Sequence, residues 1–258
     1  MESVKSTEVN PLILPADLTR STTSQFLELV QSILDSRVTE LKIDCSRINN
    51  ASSSHISILW EAYDLCKSNK VKIILEEATT SLVRVLFILD LGELFGLGSH
   101  ESGFKSADKR ETVSDQDSHI HTEQICVSRE KLSQSVEAFL KFSSTHGVPE
   151  ITDFEMRTVF CEVMTNVIDH SGLTESDNVK FTAKIKGNHM NMVFEDLGVA
   201  FDPTIYHGSA DLDDLITAAK ERRFRGFGLL MIRKLVDKIK YSRKEDTVNH
   251  LEIEKYWS

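Results

Sequence analysis

Apolar residues in the first hundred positions follow two spacings, one typical of strands and one typical of helices. Runs with the length and alternation of strands lie at 12–14, 41–45 and 71–75. Helical spacing follows each run, at 26–34, 58–65 and 81–91. Thr22 and Gln25 fit a capping box for the first of these helices. The pattern predicts a small sheet with its helices packed on it.

The second half of the chain combines two helices with a pair of alternating strands. A strand is predicted to begin at Gln124–Val127, and Ser128 can cap the helix after it. Gly147 and Pro149 end that helix, and Phe154–Ser171 forms the next one. An antiparallel hairpin is then predicted, from the strands Val179–Ile185 and Met190–Phe194 and the tight turn Gly187–Asn188.

The stretch between the two halves has no apolar periodicity and is rich in Ser, Asp, Glu and Lys, which is typical of a flexible connector. His100, His119 and His121 in this stretch have no cluster of matching ligand residues, so solvated histidines are favoured over a metal site. The sequence predicts three parts, a first domain at 1–97, a linker at 98–122 and a second domain at 123–258.

Composition and charge narrow the classes of function. The chain has 258 residues, of which 40% are hydrophobic, and a net charge of -10, which argues against a general nucleic-acid binder. The N-terminus carries no apolar run, so no signal peptide is predicted. The longest apolar run, Val83–Leu91, is too short to span a bilayer. We therefore expect a cytoplasmic protein that does not insert into membranes.

Residues suited to chemistry are concentrated in the helix Phe154–Ser171. Glu162, Asn166 and His170 are spaced four apart, so a helix places them on one face, with Asp169 close to the same arc. Such a face can present a metal ligand and a base to a pocket. An ordinary amphipathic helix with a solvated polar face has the same spacing, and this alternative stays open.

Two later motifs favour a binding site. Asp196, Gly198 and Phe201 form the pattern D-x-G-x-x-F at a strand end, where a glycine allows close approach of a ligand. The run R-G-F-G-L at 225–229 opens the next predicted helix, and its glycines expose backbone N–H groups that suit phosphate. A lone G-x-G is weak evidence, whereas the three motifs in this order are strong evidence.

This ordered set of motifs resembles the GHKL ATPase superfamily, whose members share a Bergerat-type α/β sandwich that binds ATP. Within it the chain is most similar to the anti-sigma factor serine kinases. The resemblance implies that Asn166 coordinates Mg²⁺, that Asp196 accepts a hydrogen bond from adenine, and that residues 211–223 form a lid. It also implies nucleotide contacts from the other motif residues, namely Asp169, His170, Gly198, Phe201, Arg225, Gly226, Phe227, Gly228 and Leu229.

The resemblance allows more than one reaction, and the role of Glu162 distinguishes between them. In the serine kinases the matching carboxylate can take the proton from an incoming serine hydroxyl, which makes Glu162 the predicted catalytic base. A surface carboxylate or a helix-packing partner is the alternative. The sequence departs from the family pattern at Ala200, where a second glycine is usual.

The segment 41–60, L-K-I-D-C-S-R-I-N-N-A-S-S-S-H-I-S-I-L-W, resembles the central part of STAS domains, the fold of anti-sigma factor antagonists. The resemblance places Ser53 in the position of the phosphate acceptor, at a helix N-terminus where free N–H groups favour phosphate. Ser52 replaces the Asp of the family pattern and His55 replaces its Gly. A plain capping role for these serines therefore stays open.

Basic residues are concentrated near the end of this acidic chain. They are Arg222, Arg223, Arg225, Arg233, Lys234, Lys238, Lys240, Arg243 and Lys244. The first three are expected to reach phosphate, and the others to form a solvated helix face. A nucleic-acid surface is the less favoured alternative.

These features predict an α/β chain in which a STAS-like domain precedes a GHKL-type domain. The resemblance implies an ATP- and Mg²⁺-dependent serine/threonine protein kinase that phosphorylates a STAS anti-sigma antagonist and regulates a sigma factor by partner switching. An ATP-gated binding module or adaptor is the alternative. Expected partners are a STAS antagonist or a sigma factor, the chain's own STAS half, and a second copy in a homodimer.

Overall fold

Two groups of elements make up the fold in the computed structural model, which describes residues 10–98, 118–204, 227–245 and 247–258. The first unit is built by residues 10–98 with Phe227 and Gly228, and the second by residues 118–204, 229–245 and 247–258. Each unit has its own sheet.

The first unit alternates strands and helices, as the spacing of apolar residues predicts. Its elements are β1 (Leu12–Ile13), α1 (Arg20–Asp35), β2 (Glu40–Asp44), α2 (Ser53–Ser68), β3 (Lys72–Glu76) and α3 (Thr80–Ile88), followed by a 3₁₀ turn at Glu93–Phe95. The strands are parallel in the order β1-β2-β3, with Ile43 paired to Leu12 on one side and to Leu75 on the other. Buried residues such as Leu41, Ile43 and Leu59 form its core.

Helix α1 begins one turn earlier than predicted, because two threonines cap it. The Thr19 hydroxyl accepts from the Thr22 N–H at 3.2 Å, and the Thr22 hydroxyl accepts from the Thr19 N–H at 2.8 Å. The predicted box of Thr22 and Gln25 is therefore wrong. Gln25 lies exposed in the second turn, where the helix already satisfies its own backbone N–H groups.

Helix α2 is capped by Ser52 together with His55. The Nε2 atom of His55 donates to the Ala16 carbonyl oxygen at 3.1 Å, so its Nδ1 atom is the acceptor for the Ser52 N–H at 3.2 Å. The imidazole is buried, and this burial lowers its pKa. A neutral histidine thus accepts the hydrogen bond from the N-cap N–H that a glutamate or glutamine accepts in the usual capping box.

The second unit is built around an antiparallel sheet of five strands in the order β4-β5-β6-β8-β7. Its elements are β4 (His119–Cys126), α4 (Arg129–Thr145), α5 (Glu150–His170), β5 (Asn178–Lys186), β6 (His189–Asp196), α6 (Phe227–Leu235, of which residues 229–235 belong to this unit), β7 (Lys238–Lys244) and β8 (Val248–Tyr256). Four buried rings, Phe139, Phe160, Phe181 and Phe194, pack in contact between the helices and the sheet. The hairpin β5–β6 is confirmed, with its turn at Gly187 and Asn188.

Two parts of this sheet differ from the sequence-based expectation. Strand β4 begins at His119, so the last residues of the predicted linker belong to the sheet, and His121 stacks on the Phe142 ring instead of being solvated. The predicted solvated helix face at 238–244 is wrong, because these residues form strand β7. They alternate exposed and half-buried positions, which is the period of a strand.

Glu195 joins four strands on the sheet face opposite the helices. Its carboxylate lies 2.8 Å from the Lys180 Nζ atom on β5, 2.9 Å from the Lys244 Nζ atom on β7 and 3.0 Å from the His250 Nδ1 atom on β8. Hydrogen bonds from Lys180 and then Lys244 lower the pKa of Glu195 to about 2. We call these four residues the Glu195 cluster.

No helix in the described ranges has the length and apolar character needed to cross a lipid bilayer.

Candidate functional site

A pocket that is partly open to solvent lies in the second unit. Helix α5 provides one wall, and the end of β6 with the residues after it provides another. The polar and aromatic residues that line it are Asn166, His170, Ser171, Phe194, Asp196, Phe201, Tyr241 and Asn249. Ligand pockets are typically lined by apolar side chains with a few polar groups among them. The lining of this pocket has that composition.

Helix α5 brings only part of its predicted polar face to the pocket. Asn166 and His170 line it, as the spacing predicts. Glu162 is 4% exposed and is not among the lining residues. Asp169 is exposed and accepts from the Arg129 Nη2 atom at 2.6 Å, also outside the lining. The structure therefore separates Glu162 and Asp169 from the other two residues.

Asp196 is the buried acid of the pocket, at the last position of β6. Its Oδ1 atom accepts from the Gly198 N–H at 2.8 Å and from the Asn249 Nδ2 atom at 2.8 Å. The hydrogen bonds to Asp196 within the described residues all end on Oδ1. The Oδ2 atom is then the acceptor that this side chain can offer to a ligand.

Gly198 is required by the protein's own packing. A Cβ atom at this position would lie 2.5 Å from the Ser171 Cβ atom and 2.8 Å from the Ser171 carbonyl oxygen. The next residue, Val199, donates its N–H to that same carbonyl at 2.8 Å. The glycine lets the turn after β6 contact the end of α5, which joins the two walls of the pocket. The residue after Val199 has no such demand, because no positive φ occurs at Ala200.

Asn249 is the hub of a hydrogen-bond network that sequence reasoning missed. Its Nδ2 atom donates to Asp196, and its Oδ1 atom accepts from the Tyr241 hydroxyl at 2.7 Å and from the Arg243 Nη1 atom at 2.7 Å. No motif marks these residues. The one signal in the sequence that could have predicted β7 is the period of two in the residues of Lys238–Lys244. A strand there would also have placed Tyr241 and Arg243 on the inner face of the sheet.

Apolar side chains surround the mouth of the pocket. Leu197, Val199 and Phe201 are 68%, 64% and 49% exposed, and the last two also line the pocket. Phe201 is thus placed as the motif D-x-G-x-x-F predicts. An apolar rim of this kind can cover a planar base.

The glycine-rich motif is only partly within the described residues. Arg225, Gly226 and the predicted lid at 211–223 lie outside them. Phe227 is buried and Gly228 follows it in the first turn of α6, while Leu229 lines the pocket. The prediction that a helix opens within R-G-F-G-L is confirmed.

The donor set of the pocket suits a nucleotide better than a bare metal ion. Among the described residues, no group of three His, Cys, Asp or Glu side chains is placed to hold a metal ion. Asn166 offers one neutral amide oxygen, which suits Mg²⁺ only when phosphate oxygens and waters complete its shell. Asp196 and the apolar rim suit a base. The residues present therefore fit a magnesium–nucleotide complex.

Ser53 is the first residue of α2, directly after the cap Ser52. It is half-buried, and its carbonyl oxygen accepts from the Ser57 hydroxyl at 2.9 Å. The predicted acceptor thus lies at a helix N-terminus. Its phosphorylation stays a prediction.

Two protein families match the chain, one in each half. The family described as histidine kinase-like ATPase domain matches residues 127–255, and the family described as Mlab, STAS domain matches residues 5–97. None of the curated proteins compared with the chain matches it.

Two solved structures align with the chain at low identity. In the crystal structure of the SiaB-SiaC complex from Pseudomonas aeruginosa, one chain is 18% identical, with 52% of this chain and 88% of that chain covered and a TM-score of 0.42. The Acinetobacter baumannii histidine kinase AdeS is 12% identical, with 92% and 96% covered and a TM-score of 0.34. The family matches confirm both predicted resemblances. The chain belongs to the histidine kinase-like ATPase domain family and carries a STAS domain ahead of that domain.

Proposed function

We propose that the chain is an ATP-dependent serine/threonine protein kinase of the anti-sigma factor type. It phosphorylates a serine of a STAS antagonist and regulates a sigma factor by partner switching. The observation that carries the proposal is the pocket of the ATPase domain, where Asn166 and His170 from α5 face the buried acid Asp196 from β6. The STAS domain in the same chain supports the choice of substrate class.

Asp196 selects and orients the base. Its Oδ1 atom is already bonded by Gly198 and Asn249, so Oδ2 is left to accept from an exocyclic amino group such as that of adenine. Val199 and Phe201 cover the ring with apolar surface. A base that presents a carbonyl oxygen to Asp196 is rejected, because two acceptors then face each other in a partly desolvated site.

Asn166 serves the phosphate end. When bound, Mg-ATP supplies the transferable γ-phosphoryl group and the metal charge that stabilises its transfer. The Asn166 amide oxygen is a ligand for Mg²⁺. Asp169 is paired with Arg129 and contributes at most the charge of that pair.

Glu162 is the proposed base, one helical turn before Asn166 on α5. It accepts the proton of the serine hydroxyl as that oxygen attacks. Its burial outside the pocket lining is the one observation that favours the second candidate, an ATP-gated binding module without phosphoryl transfer. Both candidates share the nucleotide site and differ only in the transfer step.

A binding experiment on the full chain tests the nucleotide site. Calorimetry with ATP and Mg²⁺ is expected to show weaker binding for Asp196→Asn and loss of the Mg²⁺ dependence for Asn166→Ala. The control Asn191→Ala removes an amide on the other sheet face, bonded to Glu252 at 2.8 Å, and should bind as the wild type does. Equal affinity in all four proteins would overturn the assignment of the site.

A transfer experiment separates the two candidates. The wild type is incubated with γ-labelled ATP, Mg²⁺ and a set of STAS proteins, and the labelled residue is mapped. Glu162→Gln is expected to keep ATP affinity within a few-fold and to lose roughly 10²–10⁴-fold in transfer rate. ATP binding without transfer to any STAS protein, or to the chain's own Ser53, favours the binding module. Transfer at the wild-type rate in Glu162→Gln excludes Glu162 as the base.

A further inference from the structure

The orientation of the Asn249 side chain is determined by its neighbours. On one side lie three acceptors, the Asp196 Oδ1 atom at 2.8 Å and the carbonyl oxygens of Gly198 at 3.3 Å and Val199 at 3.2 Å. On the other side lies Arg243, which can only donate. The amide must therefore direct its NH₂ group at Asp196 and its oxygen at Arg243.

Tyr241 strengthens the same orientation. Its hydroxyl donates to the Asn249 Oδ1 atom at 2.7 Å, so two donors from β7 bond one oxygen of a residue on β8. Arg243 also donates to the Gly198 carbonyl oxygen at 3.3 Å. A rotated amide would place its oxygen against three acceptors and its NH₂ group against a guanidinium. That arrangement loses the bonds on both sides.

This network decides which atom of Asp196 a ligand can use. Oδ1 has two donors, the Gly198 N–H and the Asn249 NH₂ group, and both donors are themselves fixed. The carboxylate cannot turn without breaking both bonds. Oδ2 is then presented to the pocket as an acceptor in one position, and strand β7 provides the fixing groups although it is an edge strand of the sheet.

We propose that Asn249, oriented by Tyr241 and Arg243, is the positioning residue that makes Asp196 a fixed acceptor and thereby determines selection of a 6-amino purine over a 6-oxo purine. The proposal rests on the nucleotide site of the proposed function. It assigns Arg243 to specificity and not to a phosphate contact or a solvated face. It also assigns the discrimination to four side chains on three strands instead of Asp196 alone.

The test compares ADP with GDP binding by calorimetry, using the full chain. Asn249→Asp keeps the shape but replaces the NH₂ group by an oxygen 2.8 Å from the Asp196 Oδ1 atom. ADP affinity is expected to fall about 10- to 100-fold at neutral pH, the range for loss of a hydrogen bond to a charged group. It should recover as the pH falls, because one proton shared by the two carboxylates restores a donor.

A second variant tests Tyr241 and Arg243, the two residues that donate to the Asn249 oxygen. Tyr241→Phe combined with Arg243→Met removes both donors to the Asn249 oxygen and frees the amide to rotate. The ratio of ADP to GDP affinity is expected to fall at least several-fold, with the unfolding transition retained. The matched control is Lys240→Met, which removes a cation of the same strand whose side chain is 63% exposed and pairs with Glu254. It should keep both affinities.

The outcomes distinguish this proposal from the proposed function. If the wild type binds ADP and the Asn249 and double variants keep its affinity, its ADP-to-GDP ratio and its pH dependence, the positioning role is overturned while the nucleotide site stands. If the wild type binds neither nucleotide, the proposed function fails and the positioning role fails with it. A lower ratio in the double variant but not in Lys240→Met supports the proposal.

Discussion

Gly198 shows how one missing side chain joins two walls of the pocket. Gly198→Ala would force a Cβ atom to within 2.5 Å of the Ser171 Cβ atom, so the turn after β6 must move away from α5. Overpacking of this kind costs roughly 1–3 kcal/mol in the free energy of unfolding. We expect that loss in urea denaturation, together with weaker ATP binding because Asp196 and Val199 shift.

The neighbouring variant Leu197→Ala is the control, since Leu197 is 68% exposed in the same turn. It should leave the urea midpoint nearly unchanged. A Gly198→Ala protein with the stability and ATP affinity of the wild type would mean that the turn relaxes without cost, and that the close approach to Ser171 is not needed.

Single residues also show where sequence reasoning stops. Asn166, His170 and Asp196 were predictable, because a helical spacing and a strand-end motif mark them. Asn249 was not, because its role follows from the register of β6 with β8, which places it directly opposite Asp196. Such a partner is far away in the sequence, and no local spacing points to it.

At the scale of elements, the Glu195 cluster predicts how the sheet responds to acid. The folded-state pKa of Glu195 is about 2, below its ordinary value of 4.5, so its contribution to stability is full above pH 4.5. It is lost progressively as the pH falls from about 4.5 toward 2, since the unfolded chain binds the proton more readily. The difference in unfolding midpoint between wild type and Glu195→Gln should shrink over this window.

Thermal unfolding at a series of pH values measures that difference, and other carboxylates cancel because both proteins contain them. A difference that stays constant from pH 6 to pH 3 would show that Lys180, Lys244 and His250 do not stabilise the ionised carboxylate. The side chain of Glu195 is 20% exposed, so we expect screening by salt to reduce the effect but not to remove it.

The strands that were predicted and those that were missed differ in how strongly the polarity of their two faces differs. The hairpin β5–β6 has buried residues alternating with exposed or half-buried ones, so its period is plain in the sequence. Strand β7 alternates Ile239 and Tyr241 with lysines, and its half-buried Arg243 hides the period. Strand β4 is similar, because His121 and Glu123 lie on its inner face where apolar residues are usual.

At the scale of the whole molecule, the two units predict two responses to a ligand. The pocket proposed for the nucleotide is lined, among the described residues, by the second unit, so ADP with Mg²⁺ should raise the unfolding temperature of that unit alone. At about 100 times the dissociation constant the added stability is about 2.7 kcal/mol. Scanning calorimetry of the full chain, with and without ADP, should show one transition that shifts and one that does not.

The assignment of the two transitions needs a matched pair of variants. Asp196→Asn should reduce the shift at the same ADP concentration, whereas Ser53→Ala, in the STAS domain, should leave it unchanged. A single transition that moves as a whole with ADP would contradict independent unfolding of the units. The sequence predicts a division into two domains, because the two motif sets lie on either side of a stretch without apolar periodicity.

The cap formed by Ser52 and His55 has a consequence for the evolution of the sequence. Asp at position 52 alone would set a carboxylate against the Nδ1 acceptor of a buried neutral imidazole, and Gly at position 55 alone would leave the Ser52 N–H without that acceptor. Each single step toward the usual STAS pattern thus weakens the start of α2. We expect positions 52 and 55 to change together among homologues of this protein. An alignment in which the two positions vary independently would contradict this expectation.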